Sequence, residues 1–217
     1  MKPYYEEPGI TIYHGDCRDI LPQLEPVGMI LTDPPYSSGG MFRGDRSLKP
    51  SVKYVQSGAI STCREDFYGD NMDQHAYLKW ATWWLVDAFK SAKDGAIICL
   101  FSDWRQIPTM SDALQCGGWV WRNIITWWKP GIRMQKGRFS SSAEYILYGS
   151  KGAPDTGDKS PQNVLTFKPV GGDDKLHIAE KPIELITCLL GASRQDATVL
   201  DPFMGSGTTL VAAKQLG

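Results

Sequence analysis

Histidine is scarce in this sequence, with three in 217 residues, and the five cysteines, Cys17, Cys63, Cys99, Cys116 and Cys188, are scattered with no C-x-x-C pair. That pattern offers neither a zinc site nor a disulfide framework, so no metal is expected and the thiols read as core residues of a reducing compartment. No apolar run approaches the ~20 residues that span a bilayer, and no secretory pattern is seen, which argues against a membrane segment and makes the cytoplasm the expected location. An excess of positive charge is lacking as well. The net charge is −1, so any attraction to a polyanion has to come from local patches.

Two such patches are present. Arg43, Arg46, Lys49 and Lys53 face one acid, Asp45, and Lys129, Arg133, Lys136 and Arg138 have no acid among them. From charge alone a solvated loop surface is the favoured reading of both blocks, because like-charged blocks are common in loops.

The length suits one domain with a sizeable core, spanning residues 1–217. Strand-like runs alternate with helical patterns, which predicts an α/β sheet. "ITIYHGD" (Ile10 to Asp16) reads as a first strand. "VGMILTD" (Val27 to Asp33) reads as a second that lacks polar alternation, as a strand buried on both faces does. From Ser37 to about Asp70 no period is sustained, well beyond the ~12 to 15 residues at which a structureless loop becomes unusual. Helical spacing returns at Tyr77, Leu78, Ala81, Trp84, Leu85 and Ala88, with Asn71 or Asp73 as N-cap and Gly95 past the end.

"GAIICLF" (Gly95 to Phe101) is a further strand, and a helix is expected from about Arg105 to Leu114. "WVWRNIITWW" (Trp119 to Trp128) and "AEYILYGS" (Ala143 to Ser150) are expected as an antiparallel hairpin around the basic loop 129–142. "NVLTF" is a short extended piece, and "KPIELITCLLG" opens a helix with Pro182 in its first turn and Gly191 beyond its end. The tryptophans Trp80, Trp83, Trp84, Trp119, Trp121, Trp127 and Trp128 lie at helix or strand spacing and read as structural. "ATVLDPFMGSGTTLVAAKQLG" is strand, glycine turn and helix, the place where backbone N–H groups and close approach are available to a nucleotide-type cofactor. No lysine follows its second glycine, which argues against a phosphate loop.

"MILTDPPYSSGG" (Met29 to Gly40) carries the sharpest chemistry. A turn capped by Asp33 explains it, since proline fixes φ and aspartate caps turns. The same residues also supply a carboxylate, a directed carbonyl at Pro34 and the aromatic plane of Tyr36, the parts needed to hold a planar amine.

"DPPY", then "H-x-x-x-K-P" at His177 to Pro182, then "DPFMGSGTT", in that order and with "GDC" at Gly15 to Cys17 before them, resemble the beta-class, circularly permuted DNA amino-methyltransferases that use S-adenosylmethionine. The resemblance runs from about Ile10 to Leu216. It implies a Rossmann-like methyltransferase fold, α/β, with a mostly parallel sheet and an antiparallel hairpin. It also implies that Asp201, Pro202, Phe203, Gly205, Gly207 and Thr208 wrap the methionine half of the cofactor, with His177 and Lys181 nearby. Asp16 would accept from the cofactor's adenine amino group, and the Cys17 backbone would meet its ring.

In this reading Asp33, Pro34, Pro35 and Tyr36 form the catalytic motif, and Asp33 touches both the cofactor and the target amine. Duplex DNA becomes the partner, and the two basic loops become its expected contacts. An aspartate at the head of the motif goes more often with adenine N6 than with cytosine N4. Methylation of another planar amide or of RNA adenine, and a DNA-binding regulator without catalysis, are the rival readings. A homodimer is compatible with the family, and the target site and any companion endonuclease are not legible here. The family continues past the position of Gly217 with one more strand, ending in an acid for the ribose hydroxyls, so one central strand is expected to be missing from this sequence.

Overall fold

The computed structural model describes residues 1–36, 72–132, 136–137, 139–157, 161–171 and 180–217. A small antiparallel pair comes first, β1 (Tyr5–Glu7) and β2 (Ile10–Ile12), followed by a short helix α1 (Cys17–Ile20). The main sheet is built from β3 (Val27–Thr32), β4 (Ala92–Ser102), β5 (Val120–Trp128), β6 (Ala143–Ser150), β7 (Val164–Thr166) and β8 (Val199–Leu200). Its order is β7-β5-β6-β4-β3-β8. β6 runs antiparallel to both neighbours, and the other pairings are parallel.

Among the described residues four longer helices cover the sheet: α2 (Gln74–Lys90), α3 (Ile107–Cys116), α4 (Ile183–Leu190) and α5 (Thr208–Leu216). Side chains alternate across a strand, so each continuous apolar run feeds two cores. Ile30, Ile98, Leu100 and Leu147 join Tyr77, Trp84 and Leu85 of α2 and Met110 and Leu114 of α3. Met29, Leu31, Ile97, Cys99, Phe101 and Ile146 join Leu185, Ile186 and Leu189 of α4 and Ala212 of α5. Each fully buried Leu or Ile contributes about 1.5–3 kcal/mol, which is why the central strands carry no polar alternation.

The helix starts follow their signals. Asp73 caps α2, its side chain accepting from the His75 N–H, and Pro182 stands at the N-cap of α4 with Gly191 closing it. Three expectations need correction. The strand expected over Ile10 to Asp16 is confined to Ile10–Ile12 and pairs with β1 outside the main sheet, because His14 to Asp16 turn away to cap α1. Gly95 does not end α2, which stops at Lys90; it lies inside β4 at φ 85°, where a Cβ would come within 2.8 Å of the Asp155 Cβ. Cys116 is exposed rather than core, at the end of α3.

The parallel strands bring their carboxyl ends to one edge of the sheet, the edge where α/β proteins place ligands. Because β6 is reversed, its first residues reach that same edge. A groove of about 260 Å³ runs between β2 and β8, bordered by Ile10, Ile12, Cys17, Leu200 and Asp201. Among the described residues β8 pairs with β3 alone, which leaves its other side open to the groove.

Candidate active site

Asp33 and Tyr36 follow directly on β3, where the chain leaves the sheet. The Tyr36 hydroxyl donates to Asp33 Oδ1, and Lys181 Nζ donates to Asp33 Oδ2 at 2.5 Å. Lys181 also lies 3.4 Å from the Tyr36 hydroxyl and above the rings of Tyr36 and Phe101. A second carboxylate completes the cluster. Glu144, at the start of β6, accepts from Lys129 through Oε1, while its Oε2 is 3.4 Å from Lys181 Nζ.

The charges balance, two acids against two lysines, as a cluster withdrawn from water requires. Burial pulls the Lys181 ammonium down, but the carboxylates of Asp33 and Glu144 outweigh it and hold its pKa above the ordinary value. Burial pushes Glu144 up, and Lys181 and Lys129 together bring it below the usual carboxylate range. Burial first, and then the charge of Asp33, push the Tyr36 phenol well up, so it stays a neutral donor.

One strand away, Asp201 follows β8 at the mouth of the groove. It accepts from the Thr32 hydroxyl at 2.7 Å and from the Phe203 N–H at 3.1 Å. Burial pushes its carboxyl up to about 6, with its hydrogen bonds offsetting part of the effect. Phe203 turns its ring inward, edge-on to Trp84 at 5.1 Å and tilted against Trp80 at 5.6 Å. Such aromatic contacts are worth about 0.5–1.5 kcal/mol each and tie the turn to α2.

Gly207 sits at φ 84° as the N-cap of α5, with no side chain to cap the helix and open space where a Cβ would project. That start of α5 leaves its first N–H groups available to an anion, while Asp201 stands ready for a cation. A zwitterionic methionine end on an apolar-bordered groove fits these donors, so the residues present suit S-adenosylmethionine. Asp201, Pro202 and Thr209 border the groove together with Gly15 and Cys17. Gly205, at φ 55°, and Thr208, whose hydroxyl lies 3.3 Å from that of Ser206, complete the turn.

Other expected residues are placed differently. Asp16 caps α1 and is engaged by Arg18, whose Nη2 lies 2.5 Å from Oδ2 and whose pairing holds the carboxyl below its usual range. Burial raises the Cys17 thiol to about 11, consistent with an unreactive side chain beside the groove. Lys129, expected among the surface basic residues, points into the site with its side chain only 15% exposed. Lys136 is exposed. Arg43, Arg46, Lys49, Lys53, Arg133, Arg138 and His177 lie outside the described residues, as does the long loop after Tyr36.

Sequence reasoning missed Glu144 and Thr32. Glu144 left a faint signal, a lone acid heading an otherwise apolar strand, whereas Thr32 had none within a buried β3.

A doubly covered, mostly parallel sheet whose strand ends present two acids beside a glycine turn defines a Rossmann-like methyltransferase. Residues 27–217 match the family model described as DNA methylase, and the chain belongs to that family. It is an S-adenosylmethionine-dependent DNA methyltransferase. Among its relatives, the type II methyltransferase M2.MboI of Moraxella bovis is 27% identical over 98% of this chain and 82% of its own length. M2.DpnII of Streptococcus pneumoniae, also a type II methyltransferase, is 27% identical over 100% of this chain and 85% of its own.

The fold is similar to that of the M1.HpyAVI complex with S-adenosylmethionine, at a TM-score of 0.63 and 23% identity over 94% of this chain and 87% of that one. It is similar as well to the PvuII cytosine-N4 DNA methyltransferase, at a TM-score of 0.68 and 16% identity over 95% of this chain and 78% of that one. Among the described residues no helix is long and apolar enough to cross a membrane.

Proposed function

We propose that the protein methylates the N6 amino group of adenine in duplex DNA, as the modification enzyme of a restriction-modification pair. The observation that carries the reading is the Asp33 carboxylate, fixed by Tyr36 and Lys181 at the end of β3 and one strand from the Asp201 groove. An exocyclic amine is a weak nucleophile because its lone pair is shared with the ring. Asp33 and the Pro34 carbonyl each accept one N–H, which turns the nitrogen toward a tetrahedral, more nucleophilic form. Tyr36 offers its ring for stacking, and Pro35 sets the rigid corner between them.

S-adenosylmethionine, when bound, supplies a methyl group on a sulfonium. Asp201 and the start of α5 hold its charged end, and His177, Asp16 and the Cys17 backbone serve the cofactor as well. The protein's contribution is orientation and electrostatics, and the amine proton leaves after transfer. The target base has to leave the duplex to reach Asp33. Arg43, Arg46, Lys49, Lys53, Arg133, Lys136 and Arg138 are the proposed phosphate and base contacts.

Cytosine N4 is the second reading. The likeness to a cytosine-N4 enzyme keeps it in play, since one fold serves both bases; the aspartate heading the motif tilts the choice to adenine. Incubation with duplex DNA and labelled cofactor, followed by nucleoside mass spectrometry, decides it. N6-methyladenine is expected, N4-methylcytosine moves the target, and unlabelled DNA refutes the reading.

A further inference from the structure

Glu144 has an unusual position. Its Oε2 is shut off from solvent and makes no hydrogen bond among the described residues, yet the Lys181 ammonium lies 3.4 Å away. Lys181 meanwhile donates to Asp33 Oδ2 at 2.5 Å, on the carboxylate that the proposed reaction requires for the target amine. An ammonium on Asp33 competes directly with a neutral N–H donor, and a charged donor wins that competition unless it has another carboxylate to go to.

We propose that Glu144 is a positioning residue that receives the Lys181 ammonium as the target amine arrives, releasing Asp33 to accept from that amine. This rests on the reading of Asp33 given above.

Three features support it. Lys181 lies between the two carboxylates, so the transfer needs a short swing of its side chain and no backbone movement. Glu144 is anchored through its other oxygen by Lys129, itself above the Trp127 ring at 4.8 Å, so Oε2 stays in place whether or not Lys181 is on it. The exchange conserves charge, since Lys181 leaves one carboxylate for another and the site never holds an unpaired cation. Among the described residues the charged and titratable groups facing Lys181 include Asp33 and Tyr36 from the segment after β3 and Glu144 from β6; Lys129, just after β5, faces Glu144.

Glu144→Gln keeps the shape and removes the charge that draws Lys181 away. The expected result is a fall in kcat of about tenfold with KM for DNA changed less than about twofold. Glu144→Asp, which retains the charge that draws Lys181 away, should restore most of the lost kcat. Independently of turnover, ¹³Cε-lysine NMR, with Lys181→Arg to assign the resonance, should show Lys181 titrating at lower pH in Glu144→Gln than in the wild type.

Coincident Lys181 midpoints overturn the proposal, and so does an unchanged kcat in Glu144→Gln. If the wild type itself yields no N6-methyladenine, the functional reading fails. If the wild type methylates and the variant does so equally, the role of Glu144 alone fails.

Discussion

Asp33 and Asp201 end adjacent parallel strands, yet their surroundings are opposite. Asp33 is neutralised by Lys181 and sits in a cluster of four balanced charges. Among the described residues no ion pair reaches Asp201, which is held by the hydroxyl of Thr32 and a backbone N–H, and burial drives its carboxyl up to about 6. The difference suits the two tasks proposed for them, the target amine for Asp33 and the cofactor's cationic end for Asp201. An acid with its own cation is set for a neutral amine, which adds no charge, whereas an acid without one lacks the partner that a cationic ligand brings.

The most severe way to break this contrast is Asp33→Ala. Methyl transfer should fall about a thousandfold or more, while DNA affinity by filter binding stays within about twofold, since the proposed phosphate contacts do not include Asp33. Retained turnover in that variant refutes the role of Asp33.

Titration sharpens the other half. Below about pH 6 Asp201 takes up a proton and loses its attraction for a cation, so calorimetric cofactor affinity should fall about tenfold between pH 7 and pH 5. Asp201→Asn should bind weakly throughout and lack that dependence. The sign for stability is reversed. A carboxyl with its pKa raised in the folded state favours folding as pH falls toward the unfolded value, so free Asp201→Asn at pH 7 should melt a few degrees higher than the wild type.

Thr32→Val removes one of the hydrogen bonds that keep Asp201 ionisable. The acid midpoint of cofactor binding should move to higher pH, with roughly 1 kcal/mol lost from folding, read by denaturant titration. The mildest effect is expected at Lys136→Ala, outside both acid sites. It should reduce the salt slope of DNA binding by about one and leave cofactor affinity unchanged.

Much of this arrangement was legible because buried parallel strands and glycine turns leave strong local signals. The run Val27 to Asp33 has no polar alternation, and it proved to be a buried central strand. Asp33 and Asp201 stand out as acids where such runs stop. The environment of each was not legible, because it depends on partners far away in sequence. Lys181 reaches Asp33 across 148 positions, and Thr32 reaches Asp201 across 169. Lys129 misled for a related reason: within a run of basic residues nothing marks the one whose acid, Glu144, waits on the facing strand. Ile10 to Asp16 failed through competition, since Asp16 gains more by capping α1 than by extending a strand.

The reversed strand β6 has a consequence for how such an enzyme diversifies. Lys129 and Glu144 clamp the two feet of the hairpin, reinforced by the Lys129 N–H to Ser142 carbonyl bond at 2.8 Å. With both feet fixed in this way, the connection from β5 to β6 can change in length without disturbing the Lys129 ammonium or the Glu144 carboxylate beneath it.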